Sequence, residues 1–212
     1  MRTKPAPLAA SQMSKKRRGR PPTYDSDTAL TAALDLFWLK GFAETSLDDI
    51  SAATGMTRPS IYAAFGDKKA LYRKALDKFT GDFLGRLERI LFAGSSIEED
   101  LINFYSAAAQ TYSSDSNMAH GCPVLCTAPT AAGLDADVQS DLKHALDKID
   151  EVLLRRFTQA RKQGQLRQSA KPNVLAQMAG ALLNSLSTRI RAGQAENFDS
   201  FIRDTVREML KK

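Results

Sequence analysis

Between residues 46 and 67 the chain crowds helix starts and helix stops together. Ser46 stands before Leu47-Asp48-Asp49-Ile50, where a hydroxyl cap and first-turn acids suit the unpaired amides and the positive end of a helix dipole. Thr54-Gly55 closes that short helix. Thr57 then caps another, Pro59 sits in its first turn where no amide hydrogen bond is lost, and Phe65-Gly66 ends it before Asp67 caps a fourth. Two helices this short, hinged at a glycine, cannot each bury a face alone. They must be held by neighbours, with Ile50 and Ile61 pointing inward and Arg58, Ser60, Tyr62 and Ala63 facing out.

The surroundings are helical as well. Leu30, Ala33, Leu34 and Phe37 repeat at the 3.6-residue period and stop at Gly41. The fourth helix carries Leu71, Ala75, Leu76, Phe79, Phe83, Leu87, Ile90 and Leu91 on one side, interrupted by Gly81 and Gly85, which mark a weak point or a close packing contact. Further helices are expected over 97–113, 135–163, 172–192 and 198–212, with 114–134 read as a long loop holding at most a turn of helix. No segment alternates with the strand period, and the fold class is all-α. The helix over 172–192 is apolar on most sides: Leu175, Met178, Leu182, Leu186 and Ile190 on one face, Val174, Ala181, Ser185 and Thr188 on another. It is either central or shared with a second subunit.

Charge is informative once located. Seven of the 30 basic residues and no acid lie within residues 1–22, so the net +6 belongs to that tail and not to the body. Its composition predicts disorder when free. The two cysteines, Cys122 and Cys126, sit in one segment and favour a reduced, cytoplasmic setting over a disulfide framework. No long apolar run or leader-like segment is present, which predicts a soluble, untargeted chain. Catalytic triads, paired carboxylates and phosphate-binding glycine loops lack a supporting context, and no enzyme is read.

The stretch GRPPTYDSDTALTAALDLFWLKGFAETSLDDISAATGMTRPSIYAAFGDKKALYRKAL resembles the DNA-binding domain of the TetR family of transcriptional regulators over about residues 24–83. The specific parts are Gly41-Phe42-Ala43-Glu44-Thr45-Ser46, the helix and turn from Ile50 to Gly55, and Ser60-Ile61-Tyr62-Ala63-Ala64-Phe65 followed by Lys68 and Leu71. Ser51 departs from the alanine often found at its position. The resemblance implies a disordered basic arm over 1–22, a helix-turn-helix domain over 23–83 with its motif at about 46–65, and a helical effector-binding and dimerisation domain over 84–212.

Residue by residue, it implies phosphate contacts from Thr45, Ser46 and Lys68 and groove-facing positions at Thr57, Arg58, Ser60 and Tyr62. Arg18 and Arg20 of the arm are placed to follow the backbone or enter the minor groove. In the second domain Phe104, Tyr105, Tyr112, Met118, Cys122 and Met178 are candidates for an effector pocket, against plain core packing. Cys122 and Cys126 are candidates for redox sensing, against packing as small hydrophobes. A metal site lacks ligands, with His120 and His144 the nearest nitrogens, and no cofactor is implied. Trp38 is read as packing. The function implied is a homodimeric regulator, a repressor, released from a palindromic operator by a small-molecule or redox signal, joined through helices 172–192 and 198–212, with the fourth helix as lever. The competing reading is a nonspecific architectural DNA-binding protein without an effector.

Overall fold

The computed structural model describes residues 24–113, 121–194 and 198–211, and those residues are helical with connecting turns. α1 (Ser26–Lys40) starts at Asp25, whose carboxylate accepts from the Asp27 amide. α2 (Leu47–Thr54) starts in a reciprocal capping box: Ser46 Oγ accepts from the Asp49 amide, and the Asp49 carboxylate accepts from the Ser46 amide. Gly55 ends it at φ 67°, a left-handed geometry that a β-carbon disfavours. α3 (Arg58–Phe65) is capped by Thr57 with Pro59 in its first turn. α4 (Lys68–Leu91) follows from Asp67 and at about 1.5 Å per residue is about 36 Å long.

A ring of aromatics consolidates the N-terminal bundle. Tyr72 of α4 lies 5.0 Å from Phe37 and 4.9 Å from Phe42 between ring centroids, and Trp38 meets Phe79 edge-on at 5.8 Å. Ile50, Met56, Ile61 and Phe65 are buried against this ring, so the two short helices borrow their stability from α1 and α4.

The remaining helices are α5 (Ile97–Tyr112), α6 (Pro123–Ala132), α7 (Ala136–Lys162), α8 (Pro172–Arg191) and α9 (Phe198–Leu210). They pack on the second half of α4 and on one another around Phe104, Tyr105, Leu153, Phe157, Ala179 and Leu186. Polar links join the two halves at several points. Tyr72 Oη lies 2.7 Å from Thr127 Oγ1 on α6, Arg191 Nη1 of α8 donates to the Trp38 carbonyl at 3.2 Å, and Lys69 of α4 donates to Asp135 at the start of α7 at 2.9 Å.

Three sequence expectations change here. The segment read as a loop contains the ten-residue α6, which begins on Pro123 and continues through Pro129. The ring of Pro129 removes one helical bond, but Thr127 Oγ1 donates to the Pro123 carbonyl at 2.6 Å and binds the first turn together. Gly81 and Gly85 mark no close packing: a β-carbon on Gly81 has no neighbour within 4 Å, and on Gly85 it lies 3.7 Å from the tip of Arg89. Met178 does not share the buried stripe of α8. It is 49% exposed, on the side of Val174 and Ala181, while Leu175, Leu182, Leu186 and Ile190 are buried.

Candidate nucleic-acid interface

α2 and α3 meet through Ile50, Met56 and Ile61, which leaves a polar outer face that carries Arg58 and Tyr62. α3 spans about 12 Å at 1.5 Å per residue, and the major groove of B-DNA is about 12 Å wide. On its outside Tyr62 is 51% exposed, and Thr57, Arg58 and Ala63 are exposed beside it. Ser60 is half-buried, with its hydroxyl 2.9 Å from that of Thr57. Of the set expected outward, Arg58, Tyr62 and Ala63 are exposed and Ser60 lies half-buried at the edge, because Ile61 and Phe65 fix which side of the helix is inside.

A partner of Arg58 was not foreseen. Asp48, in the first turn of α2, accepts from Arg58 Nε at 2.8 Å and from Nη2 at 2.5 Å, a two-pronged pair across the turn. The hydrogen bond that Arg58 donates to Asp48 raises the guanidinium's pKa above its ordinary value, so its charge is fixed. The signal in the sequence was an acid ten residues before an arginine, legible only once the angle between the helices is known.

Of the three expected phosphate contacts, the structure leaves Ser46 exposed, buries Thr45 and engages Lys68 with backbone carbonyls. Ser46 is exposed, its amide and hydroxyl engaged with Asp49 at 2.9 and 2.8 Å. Asp49 is also paired with Lys40 at 2.8 Å, and that hydrogen bond, the largest cause, holds its carboxyl well below the usual carboxylate range. Thr45 is fully buried. Its hydroxyl donates to the Gly41 carbonyl at 2.7 Å, tying the loop after α1, so the side chain is withdrawn from any phosphate.

Lys68 is likewise committed. Its ammonium donates to the carbonyls of Phe42 and Thr45, each at 2.9 Å, and lies 4.5 Å from the centre of the Phe42 ring. It clamps α4 to the loop that aims α2. Its three donors are spent on protein carbonyls, the third on Ala43 at 3.4 Å. Arg18 and Arg20 lie outside the described residues.

The effector candidates are not brought together. Phe104 and Tyr105 are fully buried, and Tyr105 Oη donates to the Ala179 carbonyl at 2.9 Å, a satisfied core contact. Tyr112 and Cys122 do border a common cavity, of about 40 Å³, with Phe83 and Leu183. A larger cleft of about 320 Å³ opens between α4, α6 and α7, lined by Arg73, Lys74, Asp77, Asp141, His144 and Lys148 over an apolar floor that includes Val124 and Ala145. Sequence reasoning missed this cleft because its lining is drawn from three helices and sets charged groups over apolar side chains. Met178 faces outward, away from both, and Met118 lies outside the described residues.

The two cysteines are not joined in a disulfide. Burial pushes the Cys122 thiol up to about 11 and is also the largest cause raising that of Cys126. Both shifts oppose the lowered thiol pKa that redox sensing calls for. Among the described residues no three His, Cys, Asp or Glu side chains are grouped to hold a metal ion, and no helix is long and apolar enough to cross a membrane.

Comparison with known proteins agrees with this geometry. A family model described as "Bacterial regulatory proteins, tetR family" matches residues 29–75, and one described as "Tetracyclin repressor-like, C-terminal domain" matches residues 98–205. The chain is 31% identical over 185 residues to the HTH-type transcriptional repressor ComR of Escherichia coli (strain K12), covering 87% of this chain and 88% of that protein. It is 36% identical over 107 residues to the HTH-type transcriptional repressor BdcR of the same organism, covering 50% and 54%. Among solved structures it is similar to the TetR family transcriptional regulator CifR, a cysteine mutant complexed with 26bp double-strand operator DNA, with a TM-score of 0.78, 26% identity and coverage of 91% of this chain and 98% of that one. A helix-turn-helix that presents Arg58 and Tyr62 outward, joined to a helical second domain, and these matches along the chain have one meaning: the chain belongs to the TetR family of DNA-binding transcriptional regulators.

Proposed function

We propose that this regulator is a repressor that binds a palindromic operator as a homodimer, with the two copies of α3 in successive major grooves about 34–36 Å apart. The observation that carries the reading is the outer face of α3, where Arg58 and Tyr62 stand exposed on a helix whose other side is locked by Ile61 and Phe65. The operator-bound state of CifR supports it by similarity. Thr57 and Ser60 complete the reading face, Ser46 and the amides at the start of α2 hold phosphate, and the arm bearing Arg18 and Arg20 adds backbone or minor-groove contacts. In this reading residues 1–22 are the arm, 23–83 the DNA-binding domain and 84–212 the effector and dimerisation domain.

Dimerisation through α8 and α9 is supported by apolar side chains left outside one protomer. Val174, Met178 and Phe201 are each more than a third exposed, which is costly for a lone subunit and ordinary for half of a four-helix interface. The effector is a small molecule entering between α4, α6 and α7. Its cleft borders α4, which is also clamped to the DNA-binding domain by Lys68, so a ligand that prefers a different tilt of α4 shifts the population away from DNA.

Selection of bound duplexes from random DNA tests the core of this reading. A repressor enriches a palindromic motif and binds it at least about 10³ tighter than scrambled DNA at fixed salt. Arg58→Ala and Tyr62→Ala each lower that preference, Arg58→Ala by about tenfold or more. Equal affinity for both duplexes by the wild-type protein sinks the repressor in favour of the architectural alternative.

A further inference from the structure

The reading helix does not present a bare arginine. A guanidinium carries five N–H donors in a planar fork. Asp48 occupies one side of the Arg58 fork, taking Nε at 2.8 Å and Nη2 at 2.5 Å. The terminal edge, made by Nη1 and the second Nη2 proton, is left for another acceptor. Two acceptors side by side, as in O6 and N7 of guanine, match such an edge.

The pair is not required by the fold. The two side chains are 55% and 72% exposed, and an exposed ion pair of this kind adds little to stability. α2 and α3 are already held at their angle by Ile50, Met56 and Ile61. What the pair does change is the freedom of Arg58, a long side chain that otherwise loses its rotamer entropy on binding. It also sets a negative charge beside the arginine. A phosphate approaching Arg58 meets that charge, whereas a base edge in the groove carries no net charge to be repelled.

We propose that Asp48 is a positioning residue for sequence reading: it aims the terminal edge of Arg58 at a base and keeps the arginine off indiscriminate phosphates. The inference rests on the operator-reading role of α3 and adds to it a specificity determinant on the preceding helix.

The experiment uses the full chain, the duplex recovered by selection with the wild-type protein, and a scrambled duplex of equal length at the same salt. Asp48→Asn keeps the shape and removes the charge. Its operator-to-scrambled affinity ratio is expected to fall about tenfold, the low end of one good bidentate contact, with affinity for scrambled DNA unchanged or higher. Asp48→Ser, which keeps a residue suited to a helix start, is expected to show the same loss. The motif reselected by either variant loses its preference at one guanine. On an Arg58→Ala background neither substitution changes the ratio further. A ratio kept by both variants, or lowered equally with and without Arg58, overturns the role of Asp48 while leaving the operator intact. Failure of the wild-type protein to enrich any motif overturns the operator reading and this inference with it.

Discussion

Arg156 of α7 and Asp100 of α5 form an ion pair closed off from solvent, with Nη2 2.6 Å from Oδ2 and both side chains at most 2% exposed. Arg156 Nε also donates to the Leu91 carbonyl at 3.1 Å, and the second Asp100 oxygen accepts from the Gly94 amide at 3.1 Å. The pair thus seals the turn in which α4 hands over to α5 and pins it to α7. A buried pair of this sort gains little over well-packed apolar side chains, but half of one is costly. Asp100→Ala, which strands the arginine, is expected to lose about 3–5 kcal/mol of unfolding free energy. Asp100→Leu with Arg156→Met is expected to lose less than Asp100→Ala alone. Urea unfolding at one fixed protein concentration checks both, and a double variant as unstable as the single one refutes the argument.

Lys68 provides a test that separates two roles for one residue. If its ammonium held a phosphate, Lys68→Met would lower the slope of log affinity against log salt by about 0.9. Its commitment to the carbonyls of Phe42 and Thr45 predicts otherwise. Operator affinity should fall because the start of α2 is no longer held in place, the salt slope should stay as in the wild-type protein, and the melting temperature should drop. Titration of operator binding across salt concentrations decides between the two.

What the sequence revealed and what it hid differ by range of interaction. The caps at Ser46, Thr57 and Asp67 act within three residues of themselves, and all three take the roles their side-chain chemistry suggests. Ile61 and Phe65, one turn apart, settle which side of α3 is outward. The clamp made by Lys68 was hidden because its carbonyl partners lie 23 to 26 residues upstream, brought near only when α4 docks on the loop after α1. Thr45 looked like a helix-start hydroxyl, yet its bond to Gly41 four residues back turns it inside. α6 was hidden by its two prolines, since Pro129 weakens a helix in isolation and packing against α7 and α8 supplies what is missing. Met178 sits at the border between the two faces of α8, where periodicity alone does not assign a side.

The contact between α4 and α7 should be sensitive to acid. Lys69 Nζ reaches Asp135 at 2.9 Å and Asp137 at 3.1 Å, and Arg73 Nε reaches Asp141 at 2.5 Å. The hydrogen bond from Lys69 is the largest cause lowering the Asp135 pKa from its ordinary 3.8. A carboxyl with a folded pKa below its unfolded one contributes stability that is full above the unfolded value and is lost as pH falls through the folded value. Asp135→Asn keeps an oxygen to cap α7 but gives up the charge. Its melting temperature should therefore lie below that of the wild-type protein at pH 7, and the gap should close as the pH drops under 3.8. A gap that persists unchanged in acid places the loss in capping instead.

Gly81 and Gly85 are left as the weak points of α4, since neither is there to let another group approach. Each costs a helix interior about 1 kcal/mol relative to alanine. Space is open for a methyl group at both positions, so Gly81→Ala and Gly85→Ala are each expected to raise unfolding free energy by about that amount. If α4 carries motion between the cleft and the DNA-binding domain, the stretch around these glycines should open more often than the turns around Leu71 and Leu76, which are buried and pinned by neighbours. Hydrogen exchange along α4 reads this directly: faster exchange at 81–85 than at 71–76 in the wild-type protein, and an even profile in the double alanine variant. Uniform protection of α4 in the wild-type protein removes the hinge, and the two glycines then only lower stability.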